Sequence, residues 1–224
     1  ERSDDDFEVV LTDEAHARLA PTACVTFAHL EGASRLLYDA QLVSLSSLEA
    51  KQASNLDLDR WPYERAPVLY DRDGVVQSAV SAAGGMSPDF RAARLRHSMV
   101  DAWLAVHRAE KTLTRGFEAA GRQVIARGTK ALARVLFALE HRWVPLDHWL
   151  EAELATLEDP AGAAPWLRRA LVEVAPGALT EALERLQAVL GPEVFPASAP
   201  ERRDQFLTLI HPACAVERRV HGLF

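Results

Sequence analysis

A chain of 224 residues accommodates one large domain or two small ones. Its 25 Lys and Arg face 32 Asp and Glu, a formal net charge of −7, and a general nucleic-acid binder would need the opposite, a basic field. About half the residues are apolar, enough for a substantial core, yet no apolar run is long enough to span a bilayer and no signal-peptide pattern opens the chain. Cys24 and Cys214 lie far apart and form no CxxC, so they read as ordinary thiols of a reducing compartment, and the cytoplasm is the expected location.

The first predicted element is a strand over Phe7 to Leu11, preceded by Ser3-Asp4-Asp5-Asp6. Side chains alternate between faces along a strand, so Asp4 and Asp6 point the same way. Two carboxylates that close repel, and a cation between them removes the repulsion. Mg²⁺ suits such a pair, because it binds through one or two carboxylates and fills its other positions with water and phosphate oxygens.

A short helix capped by Thr12 or Asp13 follows and ends at Pro21. Thr22 to Ala28 reads as a second strand, Glu31 to Ser34 as a turn, and Arg35 to Val43 as a third strand carrying Asp39. Ser46 with Glu49 forms a capping box for the next helix. Asn55 to Pro67 is irregular, Val68 to Tyr70 a brief strand, and Asp71 to Gly74 a turn. Gly84-Gly85 with Pro88 marks a linker.

Beyond the linker the period is helical. Leu95, Met99, Ala102, Trp103, Val106, Leu113 and Phe117 define a long helix over 91–119, and Val124 to Trp143 a second, ended by Pro145. Leu146 to Leu157, Trp166 to Val174 and Leu179 to Leu190 make three more, with Gly191-Pro192 as a stop. Ser198 and Glu201 box the start of a last helix, interrupted at Pro212. Helices joined by short loops pack antiparallel as a bundle. The expected fold class is therefore α+β, a small mixed sheet with helices over 1–85 followed by an all-α bundle over 86–224.

Ser-Asp-x-Asp running into a strand resembles the metal motif of the nucleotidyltransferase superfamily that includes aminoglycoside nucleotidyltransferases. Trp61 to Gly74 (WPYERAPVLYDRDG) and Leu139 to Leu150 (LEHRWVPLDHWL) are similar to segments of bacterial proteins that join this domain to a helical one. The resemblance implies that Asp4 and Asp6 hold two Mg²⁺ ions, that Ser3 belongs to the nucleotide site, and that Asp39, in Tyr38-Asp39-Ala40, is the third carboxylate. It also implies basic side chains from the helical half against the triphosphate: Lys130, Arg134, Arg142 and, in place of the usual basic residue, His148. Glu140 beside them and Asp39 are the candidate general bases. The family's Gly-Ser pair ahead of the aspartates has no counterpart in the chain. The chain begins with Glu1 rather than Met, so either the pair lies before Glu1 or the protein lacks it, and its lack would favour a silent member.

These residues lead to an expected enzyme that transfers NMP from ATP or another NTP to a hydroxyl of a small molecule or protein side chain, releasing pyrophosphate. The expected partners are the nucleotide and an unidentified acceptor, with a homodimer as the candidate assembly and no nucleic acid or membrane. The alternative is a catalytically silent nucleotide-sensing or interaction module of the same fold. No zinc spacing, HExxH, GxSxG, Walker A or Rossmann fingerprint occurs.

Overall fold

The computed structural model describes residues 5–29 and 36–210. The chain forms two compact units. The first comprises Glu1–Ser54 and Tyr63–Gly84, the second Asn55–Pro62 and Gly85–Phe224. The fold class is α+β, a small mixed sheet with helices followed in the chain by an all-helical unit.

The sheet of the first unit has three strands among the described residues, β1 (Asp5–Leu11), β2 (Val25–His29) and β3 (Leu36–Ser44), in the order β1-β3-β2. β1 lies parallel to β3 and β2 antiparallel to it. Helix α1 (Asp13–His16) is capped by Thr12, whose Oγ1 accepts from Ala15 N at 3.2 Å. Ser44 ends β3 and caps α2 (Leu45–Lys51), accepting from Ser47 N at 3.1 Å. The cap is thus Ser44 and not Ser46, whose amide donates instead to Asp13 Oδ1 at 3.1 Å.

Val68–Tyr70 forms no strand. Asp71 accepts from Gly74 N and Gln77 N and so caps the first turn of α4 (Val75–Gly84). A small core of Leu48, Tyr63, Ala79, Val80 and Ala83 joins α2 and α4, with Val10 of β1 packed against it. Gly84 sits so close to the backbone of Tyr63 that a Cβ there would lie 2.6 Å from the Tyr63 carbonyl oxygen.

In the second unit, α5 (Pro88–Thr114) and α6 (Glu118–Leu139) are packed together. The sequence extends α5 to residue 119, but the chain reverses at Arg115–Phe117, where Gly116 takes φ 78°. Gly128 of α6 lies against Ala105 of α5 and Leu179 of α9 (Pro176–Leu190), an approach that a side chain would prevent. A large core that includes Met99, Leu132, Leu136, Leu167, Leu179 and Leu186 fills this unit. Helices α7 (Leu150–Leu154), α8 (Ala164–Glu173) and α10 (Ala199–Ile210) complete it. Ser198 caps α10 as its spacing to Glu201 predicts.

The segment Asn55–Pro62 belongs to the second unit, although its position in the chain puts it among first-unit residues. It contains a single helical turn, α3 (Asp57–Arg60). Leu56 and Leu58 face solvent, whereas Asp57 and Arg60 turn inward.

Candidate functional site

Parallel pairing fixes which side chains of β1 and β3 are neighbours. Asp5 pairs with Tyr38, Asp6 with Asp39, Phe7 with Ala40 and Glu8 with Gln41. Partners in a parallel ladder share a face, so Asp6 and Asp39 stand side by side on the face that also carries Glu8 and Val10. Contacts on both faces agree with this assignment. The rings of Phe7 and Tyr38 meet edge to face on one side, 5.9 Å apart. On the other, Glu8 meets Tyr63 and Val10 packs on the small core. Asp39, alone in the middle of an apolar strand in the sequence, thus faces a second carboxylate from a strand distant in sequence.

Glu8 lies past the Ser-Asp-x-Asp motif and carries no signal of its own, although the alternation that relates Asp4 to Asp6 continues to it. Tyr63 is buried, and its hydroxyl donates to both oxygens of Glu8 at 2.9 Å each. Ser3 and Asp4 lie outside the described residues. Among the described residues no group of three or more His, Cys, Asp or Glu converges to hold a metal. The Asp6–Asp39 pair is an all-oxygen, anionic donor set, the hard chemistry that fits Mg²⁺ with water or phosphate oxygens completing the shell.

The remaining sequence candidates belong to the second unit, where Lys130, Arg134, Glu140 and Arg142 meet partners of that unit. Lys130 Nζ donates to Asp147 Oδ1 at 2.6 Å and to the Pro145 carbonyl at 3.3 Å. Arg134 Nε is 3.7 Å from Asp57 Oδ2. Arg142 donates to Thr156 Oγ1 at 2.9 Å, pairs with Glu153, and lies over the Phe137 ring. Glu140 Oε1 accepts from the amides of Glu158 and Asp159 at 2.7 and 3.3 Å, fixing the loop after α7. His148 is exposed, its ring 5.7 Å from that of Trp149. Lys130 and Arg134, four apart on α6, meet carboxylates from two different segments.

The second unit also buries a charged cluster without a sequence signal. Asp57 Oδ1 accepts from Arg94 Nη1 at 2.5 Å and from Val144 N at 3.0 Å. Arg94 is fully buried, with its guanidinium 4.5 Å over Phe90 and 5.0 Å over Trp143. Its Nε and Nη2 have no hydrogen-bond partner among the described residues, and the two aromatic faces cover the group. Arg60 stacks on the same Trp143 at 4.5 Å and donates to the Gly85 carbonyl. Burial lowers the Arg94 guanidinium below its ordinary value against the pull of Asp57, and lowers Arg60 likewise, helped by Arg94. The cluster ties the 55–62 segment to α5 and to Trp143.

No family model matches the chain, and no curated protein matches it. A nucleotidyltransferase-like protein from Exiguobacterium sibiricum is similar in structure, with a TM-score of 0.47 and 14% identity over 96% of this chain and 73% of that one.

Proposed function

We propose that the chain is a Mg²⁺-dependent nucleotidyltransferase that moves NMP from ATP or another NTP to a hydroxyl, with pyrophosphate as the leaving group. The observation that carries this reading is the parallel register that pairs Asp6 with Asp39. Side by side on neighbouring strands, the two carboxylates make an anionic all-oxygen pair of the kind Mg²⁺ accepts, and in the sequence Asp4 stands two residues before Asp6.

In this reading Asp4, Asp6 and Asp39 hold the metal, as two ions in the full arrangement. When bound, Mg²⁺ neutralises the triphosphate and lowers the barrier to attack by the acceptor oxygen. Asp39 then takes up the acceptor proton. The acceptor is a small hydroxyl compound, aminoglycoside-like in the closest version of the resemblance, or a protein side chain. The reading uses the first unit alone, because Lys130, Arg142 and Glu140 are committed to partners within the second.

That commitment favours a second reading, a silent nucleotide-sensing module, and one experiment separates the two. ATP is titrated calorimetrically into the whole chain, with Mg²⁺ and with EDTA, beside the Asp6→Asn/Asp39→Asn variant. Binding that needs both metal and aspartates supports the transferase. Metal-independent ATP binding that survives in the variant supports the silent module, and no binding contradicts both.

A further inference from the structure

The chain passes between the two units after Ser54, after Pro62 and after Gly84. Residues 63–84 are therefore an excursion into the first unit that leaves the second at Pro62 and returns to it at Gly85. Among the described residues, this excursion supplies Tyr63, Ala79, Val80 and Ala83 to the buried core of the first unit, and the chain before it supplies Leu48. A core this small leaves a unit marginally stable, so whatever keeps the excursion closed bears on the whole unit.

The two ends of the excursion are pinned to each other twice. Inside the first unit, Gly84 rests on the Tyr63 backbone with no room for a Cβ. Inside the second, Arg60 donates from Nη2 to the Gly85 carbonyl. Arg60 is itself buried, with its guanidinium 4.5 Å over Trp143. Its helical turn is held by Asp57, which accepts from Arg94 and from the Val144 amide. A donor fixed in this way holds its acceptor in place, and a segment whose ends are already held together loses less entropy on ordering than one with free ends.

We propose that Asn55–Pro62 is a strap whose Arg60–Gly85 hydrogen bond closes the 63–84 excursion, so that the folded state of Tyr63 and α4 in the first unit depends on a clasp built in the second. The clasp needs no ligand and is independent of the cation reading given above. It gives a physical reason for a segment flanked by first-unit residues to be buried in the other unit.

Amide hydrogen exchange is followed by mass spectrometry on the whole chain for wild type, Arg60→Met and Gly128→Ala. Arg60→Met keeps an apolar side chain on Trp143 and removes the donor to Gly85. Gly128→Ala strains the packing of α6 on Ala105 and Leu179 and leaves the clasp alone. Exchange of the α4 amides should quicken about tenfold in Arg60→Met, the upper end of what one hydrogen bond contributes, and stay near wild type in Gly128→Ala. Arg60→Lys, which keeps a cation on Trp143 and shortens the reach to Gly85, should quicken α4 in the same sense and serves if Arg60→Met does not fold. Unchanged α4 exchange in Arg60→Met, or in Arg60→Lys where it stands in, overturns the strap. Equal quickening in Gly128→Ala overturns it too, because loosening elsewhere in the second unit would then suffice.

Discussion

At the residue scale, Asp57 faces two guanidinium groups and one backbone amide from a segment of one helical turn. Arg94 beneath it is wholly buried, and removing one partner of a buried ion pair leaves a charge with no compensation. Asp57→Ala should therefore destabilise the second unit by about 3 kcal/mol, read as a lower urea midpoint. Arg94→Met, which removes the charge and keeps the volume, should cost less. Asp13 provides a pH test in the first unit. Hydrogen bonds from Ser46 hold its carboxyl below the ordinary aspartate value of 3.8. Its contribution is thus fully present above the unfolded-state pKa and disappears as pH falls through the lower folded-state one. Asp13→Asn should lower the thermal midpoint slightly at neutral pH and match wild type once the Asp13 carboxyl is protonated in the folded and unfolded states alike.

Individual residues differ in how far the sequence exposes them. Asp6 stands out in the Ser-Asp-x-Asp motif ahead of a strand, and Asp39 as a carboxylate inside an apolar one. Glu8 obeys the same alternation but lies past the short motif, and its partner Tyr63 is far along the chain. Arg94 sits one position from Leu95 on a helix whose apolar period accounts for its neighbours, so nothing local marks it as buried. Its burial depends on Asp57 and Trp143, which only the fold brings to it.

Among the elements, the long helices were readable because their apolar positions recur with helical period, and the errors fall where other forces decide the ends. α5 stops at Thr114 because Gly116 supplies the positive φ for the reversal; the apolar pattern continues through Phe117, which is left exposed. Val68–Tyr70 has strand composition but pairs with none of the strands among the described residues, and Leu69 and Tyr70 face solvent. The shift of the α2 cap from Ser46 to Ser44 follows from Asp13 taking the Ser46 amide, a contact 33 residues away in sequence. Close helix approach gives a prediction at this scale. A Cβ on Gly128 would lie 2.7 Å from Leu179 Cδ2 and 2.8 Å from Ala105 Cβ. Overpacking of this kind costs about 1–3 kcal/mol, so Gly128→Ala should lower the denaturation midpoint despite the better helix propensity of alanine. A midpoint that rises would show that α5, α6 and α9 separate easily.

For the whole molecule, the change from mixed sheet to helices was legible from composition, since β-rich runs give way to helical periodicity near Gly84-Gly85. The transfer of Asn55–Pro62 to the second unit was not, because it is specified by a buried ion pair and by Trp143 stacking. The division also separates the candidate residues. The paired carboxylates belong to the first unit, and the basic residues expected beside a triphosphate belong to the second, each with a carboxylate or exposed.

If carboxylates from β1 and β3 jointly hold a divalent cation, Mn²⁺, a paramagnetic stand-in for Mg²⁺, should bind there. The loss of free Mn²⁺ resonance on adding protein is measured for wild type, Asp6→Asn and Asp39→Asn. Saturable binding in wild type that weakens at least about tenfold in each single variant, no less than the loss of an outer-shell partner costs, is the predicted result. Binding that is absent in wild type, or that survives unchanged without Asp39, would contradict the account.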